Sequence, residues 1–346
     1  MDNARRTFLK LGTGAAVGSL MATPVVAKTE IQLPASADGR DALRLVTFSP
    51  QAGTPPRVGV VNGKGMVVDV GAAARGQNMT LSFNPSSMLS LIAAGPQGLA
   101  EVQRCAAAAQ STLAVNSVRL YAPIPVPQRN VYAVGWNYLE HFHESITARA
   151  AKAKLPAHPV FFTKDTHTVN GPFDPIPFNP AISRMIDWEG ELAVIIGKRG
   201  INVTEADAMN YVFGYTVIND TTARDMQVDH GGQWFKGKSL DGHGPMGPWI
   251  IPASEIDYNN LNLTTRVNGV VKQHINTRQM YFKVPRLIAE LSFGLTLEPG
   301  DMIATGTPSG IGAGRTPPEY LKPGDIMETE IDRIGTIRNE IRLVNS

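Results

Sequence analysis

The chain has 346 residues, 43% hydrophobic and 18% charged, with a formal net charge of +2. Charged residues fall below the roughly 25% usual for soluble domains, and Gly plus Pro stay below the share that marks low complexity. Disorder, collagen, coiled coil and a disulfide scaffold are thereby excluded, and the length suggests about two domains.

The N-terminus reads as an address. Ala4-Arg5-Arg6-Thr7-Phe8-Leu9-Lys10 carries the twin-arginine pattern of the Tat export pathway. A short apolar stretch follows from Leu11 to Met21, and Val25-Val26-Ala27 offers small residues for cleavage. That stretch is shorter than the about 20 residues of a membrane span, so no stable span is expected. Residues 1–27 are expected to be a signal peptide that the Tat export machinery uses to deliver the protein to the periplasm. They hold Arg5, Arg6 and Lys10 against Asp2, so the rest of the chain is formally neutral, with 29 basic and 29 acidic residues.

Residues 28–40 read as a linker. Strands are expected at Leu43–Phe48, Arg57–Val61 and Gly65–Asp69, with Asn62-Gly63 as a hairpin turn between the last two. Ser87–Ala94 and Pro96–Ala109 read as helices. Cys105 lies in the second and has no intrachain partner, so it is a packed or idle thiol. Residues 41–122 thus form a small β-rich domain. The run Ala122-Pro123-Ile124-Pro125-Val126-Pro127 marks its end, because proline cannot donate to a ladder.

Residues 123–346 form the second domain. Strand patterns occur at Asn130–Val134, Val160–Phe162, Glu191–Ile196, Tyr211–Ile218, Leu263–Val267, Met302–Ala304, Ile326–Ile331 and Ile337–Leu343. Helical patterns occur at Thr204–Asn210 and Val284–Ser292. The fold class is therefore α+β, mainly β.

Four clusters carry chemistry. On one strand, Asp187, Glu189 and Glu191 would share a face that Ala193 and Ile195 continue inward. Read alone, those acids fit either a solvated edge strand or a hard cation held by oxygens. Asp220 ends an apolar run, and a helical turn would set Arg224 and Gln227 on its face. This fits an anion site or a capped helix start with an internal ion pair. His141 and Glu144, three apart, fit a base with its orienting carboxylate, or a surface helix pair; His141 and His143 hint weakly at a metal. Thr305-Gly306-Thr307-Pro308-Ser309-Gly310 follows a strand, and its glycines let backbone amides approach a ligand. It is neither a P-loop nor a nucleophile elbow. No basic patch with interleaved aromatics appears, so nucleic acid is not an expected partner.

In chain order these motifs resemble the fumarylacetoacetate hydrolase family over roughly Pro123 to Val344. They run from Gly135-x-Asn137-Tyr138-x-x-His141-x-x-Glu144 through Phe161-Phe162-Thr163-Lys164 and Asp187-Trp188-Glu189-Gly190-Glu191. Next come Gly214 to Asp225, Lys238 to Asp241 with Pro245 to Pro248, Thr305 to Gly310, and Leu321 to Asp325. The resemblance implies the family's mixed β-sandwich roll as catalytic domain, often in a homodimer. It places Glu189, Glu191 and Asp220 on the divalent-metal carboxylates, with Mg²⁺ the expected ion and Mn²⁺ or Ca²⁺ as alternatives. Asp187 falls outside the metal set and would support the site. His141 and Glu144 fall on the dyad that activates water. Lys238 is placed as a catalytic residue, and Arg224, Gln227 and Thr307 on substrate-contacting positions. The stretch between His141 and Lys164 resembles the family's lid, with Phe142, Arg149 and Lys152 shaping the pocket.

The implied reaction is hydrolysis of a C–C bond in an acylpyruvate or fumarylacetoacetate-like 2-oxo acid or 1,3-diketone, as in aromatic catabolism. The metal polarises the carbonyl, water activated by His141 attacks, and Lys238 and Gln227 stabilise the leaving enolate. A decarboxylase or isomerase of the same family is the alternative. A non-catalytic periplasmic binding protein is the reading from another class.

Overall fold

The computed structural model describes residues 31–34, 42–51, 53–109, 112–148 and 154–344, without the side chains of 146–148. The expected signal peptide, most of the expected linker, and Arg149 and Lys152 lie outside the described residues. No helix among the described residues is long and apolar enough to cross a membrane.

The chain is mainly β with few helices, as its alternating and apolar runs predict. A large sheet runs in the order Met66–Asp69, Arg57–Val61, Arg44–Ser49, Gly244–Pro252, Val212–Asn219, Gly190–Ile196, Met302–Ala304, Val131–Gly135, Val160–Lys164. Strands from the 41–122 stretch and from the 123–346 stretch therefore share one sheet, joined where Leu45 pairs with Ile250. A second sheet runs Val270–Asn276, Asn262–Val267, Ile326–Ile331, Gly335–Leu343, Ile176–Phe178.

The strand Gly190–Ile196 shows how the layers assemble. Leu192, Val194 and Ile196 pack toward the second sheet, in a core with Leu263, Ile331 and Ile337. Ala193 and Ile195 point the other way, into a core with Leu91, Ile92, Val102 and Cys105. Period-two alternation with both faces covered gives a strand buried throughout. Gly190 lies where the sheets meet. A Cβ there would come within 2.1 Å of Thr265 Oγ1, so no larger residue fits.

Three local expectations are corrected. The Asn62 turn is longer than a two-residue hairpin. Asn62 Oδ1 accepts from the amides of Lys64 and Met66, and Gly65, not Gly63, has positive φ. The two helices expected on either side of residue 95 are both present within Met88–Ala107, separated by a kink where Gly95 leaves helical geometry at φ 57° ahead of Pro96. Thr204–Asn210 is not a helix. The Thr204 hydroxyl and Asp207 bond each other in a turn, and only a 3₁₀ segment at Ala208–Tyr211 follows. Asp187 and Glu191 do not share one strand. Ile186–Asp187 pairs separately with Thr222–Ala223, and the long strand starts at Gly190.

Candidate active site

The site lies where the strand Gly190–Ile196 begins and the neighbouring strand Val212–Asn219 ends. Register sets Gly190 opposite Asn219, so Glu189, Glu191 and Asp220 emerge together. Asn219 locks this junction by accepting the Glu189 amide at 3.0 Å and donating to Thr329 Oγ1 at 3.0 Å. Gln273 accepts the Gly190 amide and donates to Thr307 Oγ1, which in turn donates to the Gly190 carbonyl.

The three carboxylates offer ligand atoms within 4.8 Å of one another, and all are buried. Burying three acids together is costly without cations. Burial first, then Asp220 and Glu189, push the Glu191 carboxyl well above its ordinary range. Glu189 goes the other way. Burial would raise it, but Lys238 and Arg224 bring it down to about 2. Lys238 Nζ bridges Glu189 Oε2 at 2.5 Å and Asp220 Oδ2 at 2.6 Å. Asp220 Oδ1 has no aligned hydrogen bond, though Lys164 Nζ lies 2.8 Å away. An all-oxygen donor set with one buried, unaligned acceptor fits a hard divalent cation.

Arg224 opens the helix Arg224–Asp229, so Asp220 precedes that helix and does not lie on its face. The guanidinium donates through Nε to Asp187 at 2.8 Å and through Nη1 to Gln227 at 3.2 Å, and Nη2 stands 2.6 Å from Glu189. Asp187 also accepts the amides of Gly312 and Ala313 at 2.7 and 3.0 Å. It thus ties the loop after the Thr305–Gly310 motif to the carboxylate cluster.

His141 and Glu144 lie on the helix Leu139–Ala148, with His141 Nδ1 at 3.3 Å from Glu144 Oε2. Glu144 Oε1 accepts the Gly310 amide at 2.9 Å, and Glu191 Oε2 accepts the Gly306 amide at 2.7 Å. The glycine-rich loop therefore aims its amides at carboxylates of the protein, where the sequence suggested a ligand. Phe142 is buried on Trp136, and His143 is exposed beside Phe142.

One small, partly open cavity brings together His141, Glu189, Glu191, Arg224, Gln227, Lys238 and Thr307. Glu144 stands behind His141, and Asp220 is fully buried beside Lys238. Sequence reasoning assigned no role to Lys164, Asn137, Gln273 or Trp234. Lys164 is fully buried and donates to the carbonyls of Thr221 and Lys238 as well as facing Asp220. Asn137 donates to the Thr305 carbonyl, anchoring the glycine-rich loop. Lys164 and Asn137 sit inside quoted motifs, which was the available signal; Gln273 had none.

Residues 130–342 match the family model described as fumarylacetoacetate (FAA) hydrolase C-terminal. The chain belongs to the fumarylacetoacetate hydrolase family. Among curated family members, oxaloacetate tautomerase YisK of Bacillus subtilis is 43% identical over 266 residues, 74% of this chain and 87% of that protein. Mitochondrial oxaloacetate tautomerase fahd2 of Xenopus laevis is 38% identical over 87% of this chain and 90% of its own. Among solved structures, fumarylacetoacetate hydrolase from Exiguobacterium antarcticum aligns with TM-score 0.73 and 39% identity, covering 88% of this chain and all of that one. Maleylpyruvate hydrolase from Sphingobium sp. SYK-6, in complex with manganese(II) ion and pyruvate, aligns with TM-score 0.68 and 29% identity, covering 87% of this chain and all of that one. The family member described here is thus an enzyme-family chain with a carboxylate triad that could bind a divalent metal.

Proposed function

We propose that the protein is a divalent-metal-dependent enzyme that shifts a small 2-oxo acid between its keto and enol forms. The observation that carries this reading is the His141–Glu144 dyad, whose His141 lines the same cavity as Glu189 and Glu191 of the buried triad. Glu144 faces Nδ1, so Nε2 is the nitrogen left for proton transfer. His141 Nε2 takes a proton from C3 of the keto acid. The same proton count is restored when the 2-oxygen is protonated, giving the enol. Lys238 and the Gln227 amide steady the negative oxygen meanwhile. A divalent ion, Mg²⁺ or Mn²⁺, held by Glu189, Glu191 and Asp220 would supply Lewis-acid polarisation of the 2-oxo group. Relatives named oxaloacetate tautomerase support this choice of reaction.

Hydrolysis of a C–C bond in an acylpyruvate or fumarylacetoacetate-like acid is the second reading. The same dyad can activate water, and the aligned hydrolase structures favour it. The test uses the full chain with Mg²⁺ or Mn²⁺. Ultraviolet absorbance follows oxaloacetate enol, and product analysis follows acylpyruvate cleavage. Faster enol decay without pyruvate release supports tautomerisation; cleavage products or carbon dioxide would replace it with hydrolysis or decarboxylation. We further propose Tat export to the periplasm and a homodimer, checked by cell fractionation and light scattering.

A further inference from the structure

The cavity holds about 20 Å³, space for about one water molecule. A four-carbon acid does not fit until a wall moves. The lining divides chemically into a charged part and an aromatic part made by Trp136, Phe162 and Trp234. These rings meet edge to face, Trp234 lying 5.1 Å from Trp136 and 5.2 Å from Phe162. Trp234 also occupies the space a side chain at Gly135 would need, since a Cβ there would fall 2.2 Å from its ring.

The three rings are anchored differently. Phe162 belongs to the strand Val160–Lys164, and Trp136 directly follows the strand Val131–Gly135. Trp234 enters from a turn. Gly231 and Gly232 precede it at φ 68° and 77°, and nothing lies within 4 Å of where either Cβ would be. Downstream the chain is fixed, because Gly237 is crowded by the Ala223 carbonyl and the Gln227 amide. Trp234 is therefore the wall with room to move on its upstream side.

We propose that Trp234 is the size-selecting residue of this site. Its ring sets how large a C3 substituent a 2-oxo acid can carry, so short acids are favoured over those with long acyl arms. This rests on the reading that the ligand is a 2-oxo acid. Each added carbon displaces the ring further and breaks more of its contacts with Trp136 and Phe162.

The test uses the full chain with Mn²⁺, as wild type, Trp234→Ala and Trp234→Phe. Turnover is measured on oxaloacetate, 2-oxoglutarate and 2-oxoadipate. Calorimetry measures binding of the same acids and of oxalate. The Ala variant should raise kcat/KM and affinity for the longest acid relative to the shortest by about tenfold or more, with the Phe variant between. An unchanged ratio in both variants overturns the proposal. So does a wild type that binds long and short acids equally, which stands even if the Ala variant fails to fold. If wild type turns over none of the acids, the tautomerase reading falls, but the affinity series still reads the size limit.

Discussion

Glu144 turns one carboxylate oxygen to His141 Nδ1 at 3.3 Å and the other to the Gly310 amide at 2.9 Å. The imidazole is thus oriented through a loop from the far end of the chain. Replacing His141 by Ala should lower kcat/KM by about 10²–10⁴ while leaving circular dichroism unchanged. Glu144→Gln keeps the shape and removes the charge, and should cost about tenfold, the worth of one hydrogen bond. Full activity in the His141 variant would remove the dyad from the mechanism.

Lys164 predicts a stability effect. Its ammonium is fully buried and faces Asp220 and two carbonyls. Burial holds it below its ordinary range despite Asp220. Lys164→Met strands those acceptors and should lower the unfolding free energy by about 3–5 kcal/mol. Denaturant titration checks this, and adding Asp220→Asn should recover part of the loss.

Glu191 links cation binding to protons. Burial, Asp220 and Glu189 raise its carboxyl, and a cation binds the ionised form. Mn²⁺ affinity should therefore rise with pH, with proton release visible by calorimetry in buffers of different ionisation heats. Glu191→Gln should abolish both. Saturating Mn²⁺ should stabilise the wild-type fold by about 2.7 kcal/mol at one hundred times Kd.

His243 gives a pH dependence away from the reaction. Burial brings its imidazole down to about 4, although Nε2 bonds the Pro177 carbonyl at 2.8 Å. Unfolded, the ring titrates near 6.5, so between those values only the unfolded chain binds the proton. Stability is full above pH 6.5 and falls as pH drops toward 4, by about 3 kcal/mol in all. Urea unfolding at pH 7 and 4.5 should show this slope, reduced in His243→Gln.

Much of the strand layout was legible because strands covered on both faces read as apolar runs and those covered on one face alternate. The strands Met302–Ala304 and Ile326–Ile331 have the observed boundaries, and so does the helix Val284–Ser292. The carboxylates of the site were legible as residue types. The family motifs placed Lys238 in the site, but Lys164 and Gln273 were assigned no role, because they reach the cluster from distant segments and no local period marks that. Thr204–Asn210 had the charges of a helix start, but the Thr204–Asp207 side-chain bonds satisfy the turn without one. Asp187 looked like a third acid on a strand face. Its location is decided instead by Arg224 and two loop amides.

Leu45 opposite Ile250 makes the N-terminal strands a cover for the central sheet. Without residues 41–122, the Gly244–Pro252 strand would lose its partner around Ile250, while Val169–Asn170 would still pair with Gly244 and Pro245. An uncovered apolar edge segment of that kind templates strand addition by other chains. Shortened versions of this protein that begin near residue 123 would therefore tend to aggregate, whatever their catalytic residues could do.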